Sequence, residues 1–175
     1  MNFFEVFNLP RILNIDPKAL ERKFHELSRQ YHPDYFTTAP EIEKQKALHM
    51  TAILNDAYRT LRHPERRVEY LLNIHGFKPD GSKAPKALLM EIFELNEQIE
   101  EVRSGTASPE QARSLAGLIR EKRERFDAEL QAASREWDSL VADGAPETKL
   151  KQQLEKLTEI VSESSYIRNL EGETH

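Results

Sequence analysis

Apolar residues along this chain recur mostly at intervals of three and four, so nearly every stretch between turn signals reads as an amphipathic helix. Leu20, Phe24, Leu27 and Tyr31 follow at spacings of 4, 3 and 4. Asp16-Pro17 ahead of them supplies an N-cap and a proline at the first helical position. At about 100° per residue, Lys18, Arg22, His25 and Arg29 fall opposite this stripe, giving one apolar and one basic side. Pro33 ends the helix by disfavouring helical geometry at the residue before it. A second helix is predicted from Pro40, with Glu41 and Glu43 near the positive end of its dipole. Ala47, Met50, Leu54, Ala57 and Leu61 form its stripe until Pro64 breaks it, and Val68, Leu71, Leu72 and His75 mark a short third segment.

Residues 77–84, with Phe77, Lys78, Pro79, Asp80, Gly81 and Ser82, have linker composition. Three helices are predicted beyond it. The first turns Leu88, Ile92, Leu95, Ile99 and Val102 to one side, and Gly105 closes it. Ser108-Pro109-Glu110-Gln111 opens the next with an N-cap, a proline and a capping-box glutamine. Its stripe is Leu115, Leu118, Ile119, Lys122, Phe126, Leu130, Ala133, Trp137 and Leu140, close to heptad spacing. Gly144 and Pro146 turn the chain into a last helix bearing Leu150, Leu154, Leu157, Val161 and Ile167. Short turns between long amphipathic helices imply antiparallel neighbours. The predicted fold class is therefore all-α: a helical hairpin in residues 1–76, a linker over 77–84, and an antiparallel three-helix bundle over 85–172.

Charge divides along the same line. The net charge is -5 overall, but residues 1–78 sum to +2 and residues 79–175 to -7, so the halves present different surfaces to partners. Neither half is basic enough to make nucleic acid a first expectation. With no cysteine, the chain has no disulfide, thiolate metal site or Cys nucleophile. The histidines (His25, His49, His63, His75 and His175 besides His32) lack metal-ligand spacing, and no cofactor is expected. Met1 to Glu5 does not start like a secretory signal and no apolar run reaches membrane-spanning length, so a soluble cytoplasmic protein is expected.

The chemistry concentrates at His32-Pro33-Asp34, between the first two long helices. As an acid–base pair, His32 and Asp34 would need a nucleophile or oxyanion donors converging on a pocket, and none lies nearby in sequence. As a plain turn, the tripeptide would end the helix with Asp34 as a local cap. As a docking element, it would offer a carboxylate on a rigid loop to a partner's arginine, beside a basic helix face that steers association. A second feature lies on the first helix after the linker. With Leu95 and Ile99 inward, Leu89, Met90 and Phe93 fall opposite, among Glu94, Glu97 and Glu101. Apolar residues rimmed by carboxylates suggest a protein-binding patch, unless another helix covers them. Trp137 reads as core, Asn55 and Tyr58 as a cap or packing pair, and Glu121–Arg125 as an i,i+4 ion pair.

These residues carry a family resemblance. Phe4-Glu5-Val6-Phe7, the basic face before His32-Pro33-Asp34, Leu54-Asn55-Asp56-Ala57-Tyr58-Arg59-Thr60-Leu61, Pro64-Glu65-Arg66-Arg67 and Tyr70 resemble a J-domain, in order and roughly in spacing. Met1 to Pro10, Tyr70 to Phe77 and Leu88-Leu89-Met90-Glu91 are similar to the HscB family of co-chaperones in iron–sulfur cluster assembly, and the chain lacks the Gly/Phe-rich and Cys-rich regions of other J-proteins. Departures are Glu21 and Glu26 among the cations and Tyr35 where a lysine is common. The resemblance implies a non-enzymatic adaptor with two partners. A DnaK-type ATPase chaperone (HscA-like) would dock on His32, Pro33, Asp34, Lys18, Arg22, His25 and Arg29, and its hydrolysis would be stimulated. An iron–sulfur scaffold protein (IscU-like) would dock on Leu89, Met90, Phe93, Glu94, Glu97 and Glu101. A J-domain co-chaperone for other clients and a helical structural or coiled-coil protein are the alternatives.

Overall fold

The computed structural model describes residues 1–79 and 86–173, and the side chains among them except those of 86–89, 92 and 165–173. Its elements, in order, are α1 (Phe3–Val6), α2 (Pro17–Gln30), a 3-10 turn (Pro33–Phe36), α3 (Glu41–Leu61), α4 (Pro64–Ile74), α5 (Lys86–Arg103), α6 (Pro109–Ala142) and α7 (Glu147–Glu173). The described residues are all-α, as the periodicity requires. Among them no helix is long and apolar enough to cross a membrane.

The helix boundaries follow local chemistry. Asp16 caps α2 by accepting from the Lys18 amide at 3.0 Å, with Pro17 at the first position. Ser108 and Gln111 form a reciprocal capping box at the start of α6, with distances of 3.2 and 2.7 Å. Gly105 and Gly144 close α5 and α6 at φ of 73° and 61°, left-handed values that a side chain makes costly. The apolar repeat of Met1 to Pro10 is too short to announce a helix, yet Asn2 and Glu5 form a capping box that starts α1.

α2 and α3 pair as an antiparallel hairpin. Leu20, Leu54 and Leu61 are fully buried between them, and the Phe24 and Tyr58 rings stack 4.2 Å apart. Tyr58 is thus a packing residue, whereas Asn55 is exposed. α1 lies on this hairpin with Phe4 and Phe7 buried, held by a stacked Phe3–Tyr70 pair and a Phe3 N–H donated to the Tyr70 hydroxyl at 2.9 Å.

α6 and α7 form the longest contact and carry the C-terminal half. The core they close is shared with the N-terminal half. Phe126, Leu130, Ala133, Trp137, Leu154, Leu157 and Val161 join Phe4, Phe7, Leu13, Leu20, Leu54, Leu71 and Leu72 in one apolar cluster. α4 mediates the contact, packing its Val68, Leu71 and Leu72 side toward α7. A separate small core of Leu95, Ile99, Leu115 and Ile119 holds α5 against the first turns of α6. Lys122 pairs with Glu91 on α5, which explains a lysine in an apolar repeat: its stem packs while its ammonium meets a carboxylate.

Two details differ from the sequence reading. Leu118 is 39% exposed, so it stands at the edge of the α6 stripe and not within it. Glu121 and Arg125 make no ion pair; Arg123 instead meets Asp127 at 3.3 Å and reaches Glu65 of α4 at 3.3 Å. The inter-helix partner draws the pairing around the helix by two residues.

Segment 11–14 is fastened to α6 by polar contacts. The Asp138 carboxylate accepts from the Leu13 amide at 2.6 Å, the Asn14 amide at 2.8 Å and the Asn14 side chain at 2.8 Å. The Trp137 indole donates to the Arg11 carbonyl at 2.8 Å. From α4, the buried Arg67 donates to the carbonyls of Leu61 and Leu13. Burial pushes its guanidinium down to about 10, with Asp138 acting in the other direction, so it stays a cation at neutral pH.

Candidate functional site

The loop after α2 presents the tripeptide on a single 3-10 turn. Its cap is His32, not Asp34: the His32 Nδ1 accepts from the Asp34 amide at 3.3 Å. The Asp34 carboxylate lies 3.5 Å from the same nitrogen. The two contacts belong to different protonation states, because a ring nitrogen accepting from an amide has no proton to offer a carboxylate. With the cap in place Asp34 has no capping duty, and its side chain is 83% exposed. Pro33 occupies the first position of the turn, and the Thr37 hydroxyl donates to the Asp34 carbonyl at 3.3 Å, so the backbone below the carboxylate is tied at both ends. Tyr35 is exposed and meets the His32 ring edge-on at 6.3 Å.

Lys18, Arg22, His25 and Arg29 are all exposed on α2, opposite the side that meets α3. Among the described ion pairs none uses Lys18, Arg22 or Arg29, which leaves this face its positive charge. Lys23, one position round, donates to the Phe7 carbonyl at 2.9 Å and belongs to the packing. Within this region the basic face and the tripeptide adjoin, since α2 runs straight into the turn.

On α5, Met90 is 68% and Phe93 65% exposed, and Glu94, Glu97 and Glu101 are exposed around them. Among the described residues no helix buries these two apolar side chains, while Leu95 and Ile99 on the other side are 2% exposed. The side chain of Leu89 lies outside the described residues, as do those of Leu88, Ile92 and Ile167, linker residues 80–84, and His175. Burying a phenylalanine or methionine of this exposure against a partner is worth about 1.5–3 kcal/mol each.

Exposed Ile42 and Leu48 on α3 and the clasp on segment 11–14 were not foreseen from sequence. Periodicity flags part of the clasp: Arg67 shares a helix side with Leu71 and Ile74, so its burial is readable as a cation on an apolar stripe. Nothing local marks Asp138, whose partners are 124 and 125 residues away.

The comparisons agree with this architecture. The family described as the HSCB C-terminal oligomerisation domain matches residues 84–175, more than half of the chain. Chaperone HscB from Vibrio cholerae superimposes with a TM-score of 0.77 at 26% identity, over 99% of this chain and 95% of that one. The crystal structure of human co-chaperone protein HscB gives a TM-score of 0.75 at 24% identity, over 99% of this chain and 80% of that one, a likeness of fold. A profile match over the C-terminal half, joined to folds that coincide along almost the whole length, places the chain in the HscB family.

Proposed function

We propose that this protein is a non-enzymatic co-chaperone of iron–sulfur cluster assembly that brings two proteins together. One is a DnaK-type ATPase chaperone, docked on His32, Pro33, Asp34 and the basic face of Lys18, Arg22, His25 and Arg29. The other is an iron–sulfur scaffold protein, docked on Met90, Phe93, Leu89, Glu94, Glu97 and Glu101. The observation that carries the reading is the Asp34 carboxylate. It is exposed, released from capping by His32, and mounted on a turn fixed by Pro33 and Thr37.

A carboxylate so placed is prepared for a bidentate bond from a partner's arginine, at little cost in ordering. The basic face beside it attracts an acidic surface and speeds encounter, so docking weakens as salt rises. On α5 the apolar anchors supply contact area, and the glutamate rim selects a partner with basic side chains. Holding both partners on one chain makes their meeting effectively intramolecular, raising local concentration. Hydrolysis triggered at the docked chaperone then fastens it to the delivered scaffold.

The test is steady-state ATP hydrolysis by the chaperone with this protein, with and without scaffold, for the wild type and Asp34→Asn. Wild type is expected to stimulate, more strongly with scaffold. Asp34→Asn, an exposed isosteric change, is expected to abolish stimulation with an unaltered melting temperature. Normal stimulation by a folded Asp34→Asn protein refutes the assignment.

A further inference from the structure

A cleft of about 1150 Å³ runs between the two halves and belongs to neither docking surface. One wall is segment 13–17 with the junction of α3 and α4, including Ile15, Pro17, Arg62 and Arg66; the other is the side of α6 that carries Asp127 and Gln131. We propose that this cleft receives an extended acidic segment of the ATPase chaperone, so that the docking surface continues from α2 onto the C-terminal half. The proposal rests on the chaperone reading above and extends it.

The charges in the cleft do not cancel. Its carboxylates have work to do: Asp16 caps α2, and Glu65 and Asp127 both hold Arg123. Arg67 is buried on two carbonyls. Arg62 and Arg66 remain on the rim, both exposed. Arg62 lies over the Tyr58 ring at 5.5 Å, and Arg66 has no carboxylate among the described ion pairs. The charge of His63 between them reports the local potential: burial, then Arg62, Arg66 and Arg67, all oppose its protonation. A cleft rim with surplus positive charge favours an acidic occupant over a basic one. The floor contributed by Leu13, Ile15 and Leu130 is apolar, so the segment would carry apolar side chains among its acids.

Continuity identifies the partner. Pro17 lines the cleft, Lys18 is the next residue, and Arg22 follows one turn later on the basic face. A chaperone seated on α2 therefore meets the cleft mouth directly. A nucleic acid backbone fits less well, since the floor of Leu13, Ile15 and Leu130 is apolar and the whole chain is at -5.

The experiment exploits the absence of cysteine, which makes any introduced thiol unique. A photocrosslinker is attached at Gln131→Cys, on the α6 wall, and separately at Glu21→Cys, exposed on α2. Both variants are mixed with chaperone, nucleotide and scaffold, and crosslinked peptides are identified by mass spectrometry. The expected result is capture of the chaperone from both positions, with an acidic segment captured from Gln131→Cys. Arg62→Ala with Arg66→Ala is expected to reduce the Gln131→Cys crosslink. It is also expected to raise the protein concentration for half-maximal ATPase stimulation about five-fold, as for two solvent-screened cations, with the plateau unchanged. Capture of the chaperone from Glu21→Cys but not Gln131→Cys overturns the cleft proposal and leaves the chaperone reading standing. Capture of the scaffold, or of a basic segment, at Gln131→Cys overturns it as well. Absence of any capture together with absence of ATPase stimulation overturns both.

Discussion

Asp138→Ala removes the carboxylate that holds segment 11–14 against α6. The part-buried Leu13 amide loses a charged acceptor at 2.6 Å, which costs about 1.5–3 kcal/mol. The two contacts from exposed Asn14, each 2.8 Å, are replaced by water and add roughly 0.5 kcal/mol. Buried Arg67 also loses a favourable negative charge nearby. The sum is about 2–3.5 kcal/mol, and at 2–4 °C per kcal/mol for a chain of this size the melting temperature falls roughly 4–14 °C. Asp138→Asn keeps one acceptor oxygen but turns an amide toward an N–H, so it falls between wild type and alanine. The measurement is far-UV circular dichroism melting, with fluorescence of Trp137, the sole tryptophan, as a local probe because its indole donates to the Arg11 carbonyl. Glu155→Ala, exposed on α7, serves as the control and stays within about 0.5 kcal/mol. Melting of Asp138→Ala within about 1 °C of wild type refutes the clasp as a structural element, whatever the distances.

Two further outcomes are expected. Phe93→Ser leaves melting unchanged, because the ring is 65% exposed, while calorimetry shows scaffold affinity lowered at least about ten-fold, as for a central apolar anchor; unchanged affinity removes Phe93 from the docking surface. The third concerns pH at the junction. His75 packs edge-on to Trp137 at 5.6 Å with its Nε2 buried and unbonded, and burial, then Arg11, lowers its pKa from the ordinary 6.5. The unfolded chain therefore binds the proton more readily, so stability from His75 is complete above pH 6.5 and is lost as pH falls through 6.5 toward the lower folded value. Melting temperature should drop across this window in wild type and drop less in His75→Gln; equal slopes refute the assignment.

The exposed faces on which the two proposed docking surfaces rest were largely legible in the sequence because each is a local pattern. Lys18, Arg22, His25 and Arg29 stand opposite Leu20, Phe24 and Leu27 by helical rotation alone, and so do Met90 and Phe93 opposite Leu95 and Ile99. The helix starts at Asp16-Pro17 and Ser108-Pro109 were legible for the same reason, since a cap is a contact between residues two or three apart. Even here a local rule left a detail open: both His32 and Asp34 are able to cap a turn, and geometry chose His32.

Periodicity established that the chain is helical and which side of each helix is apolar. It did not establish which apolar sides meet. An apolar stripe has no address, and burial energy depends on area, not on the identity of the partner helix. Only the tertiary structure joined Leu71 and Leu72 to Leu157 and Val161 in a core that crosses the two halves. Only it brought Asp138 to Leu13, Arg123 to Glu65, and the rim arginines Arg62 and Arg66 to a cleft beside α6. Such contacts are specified by how whole helices pack, with partners separated by 58 to 125 residues, and no repeat of three or four residues encodes them.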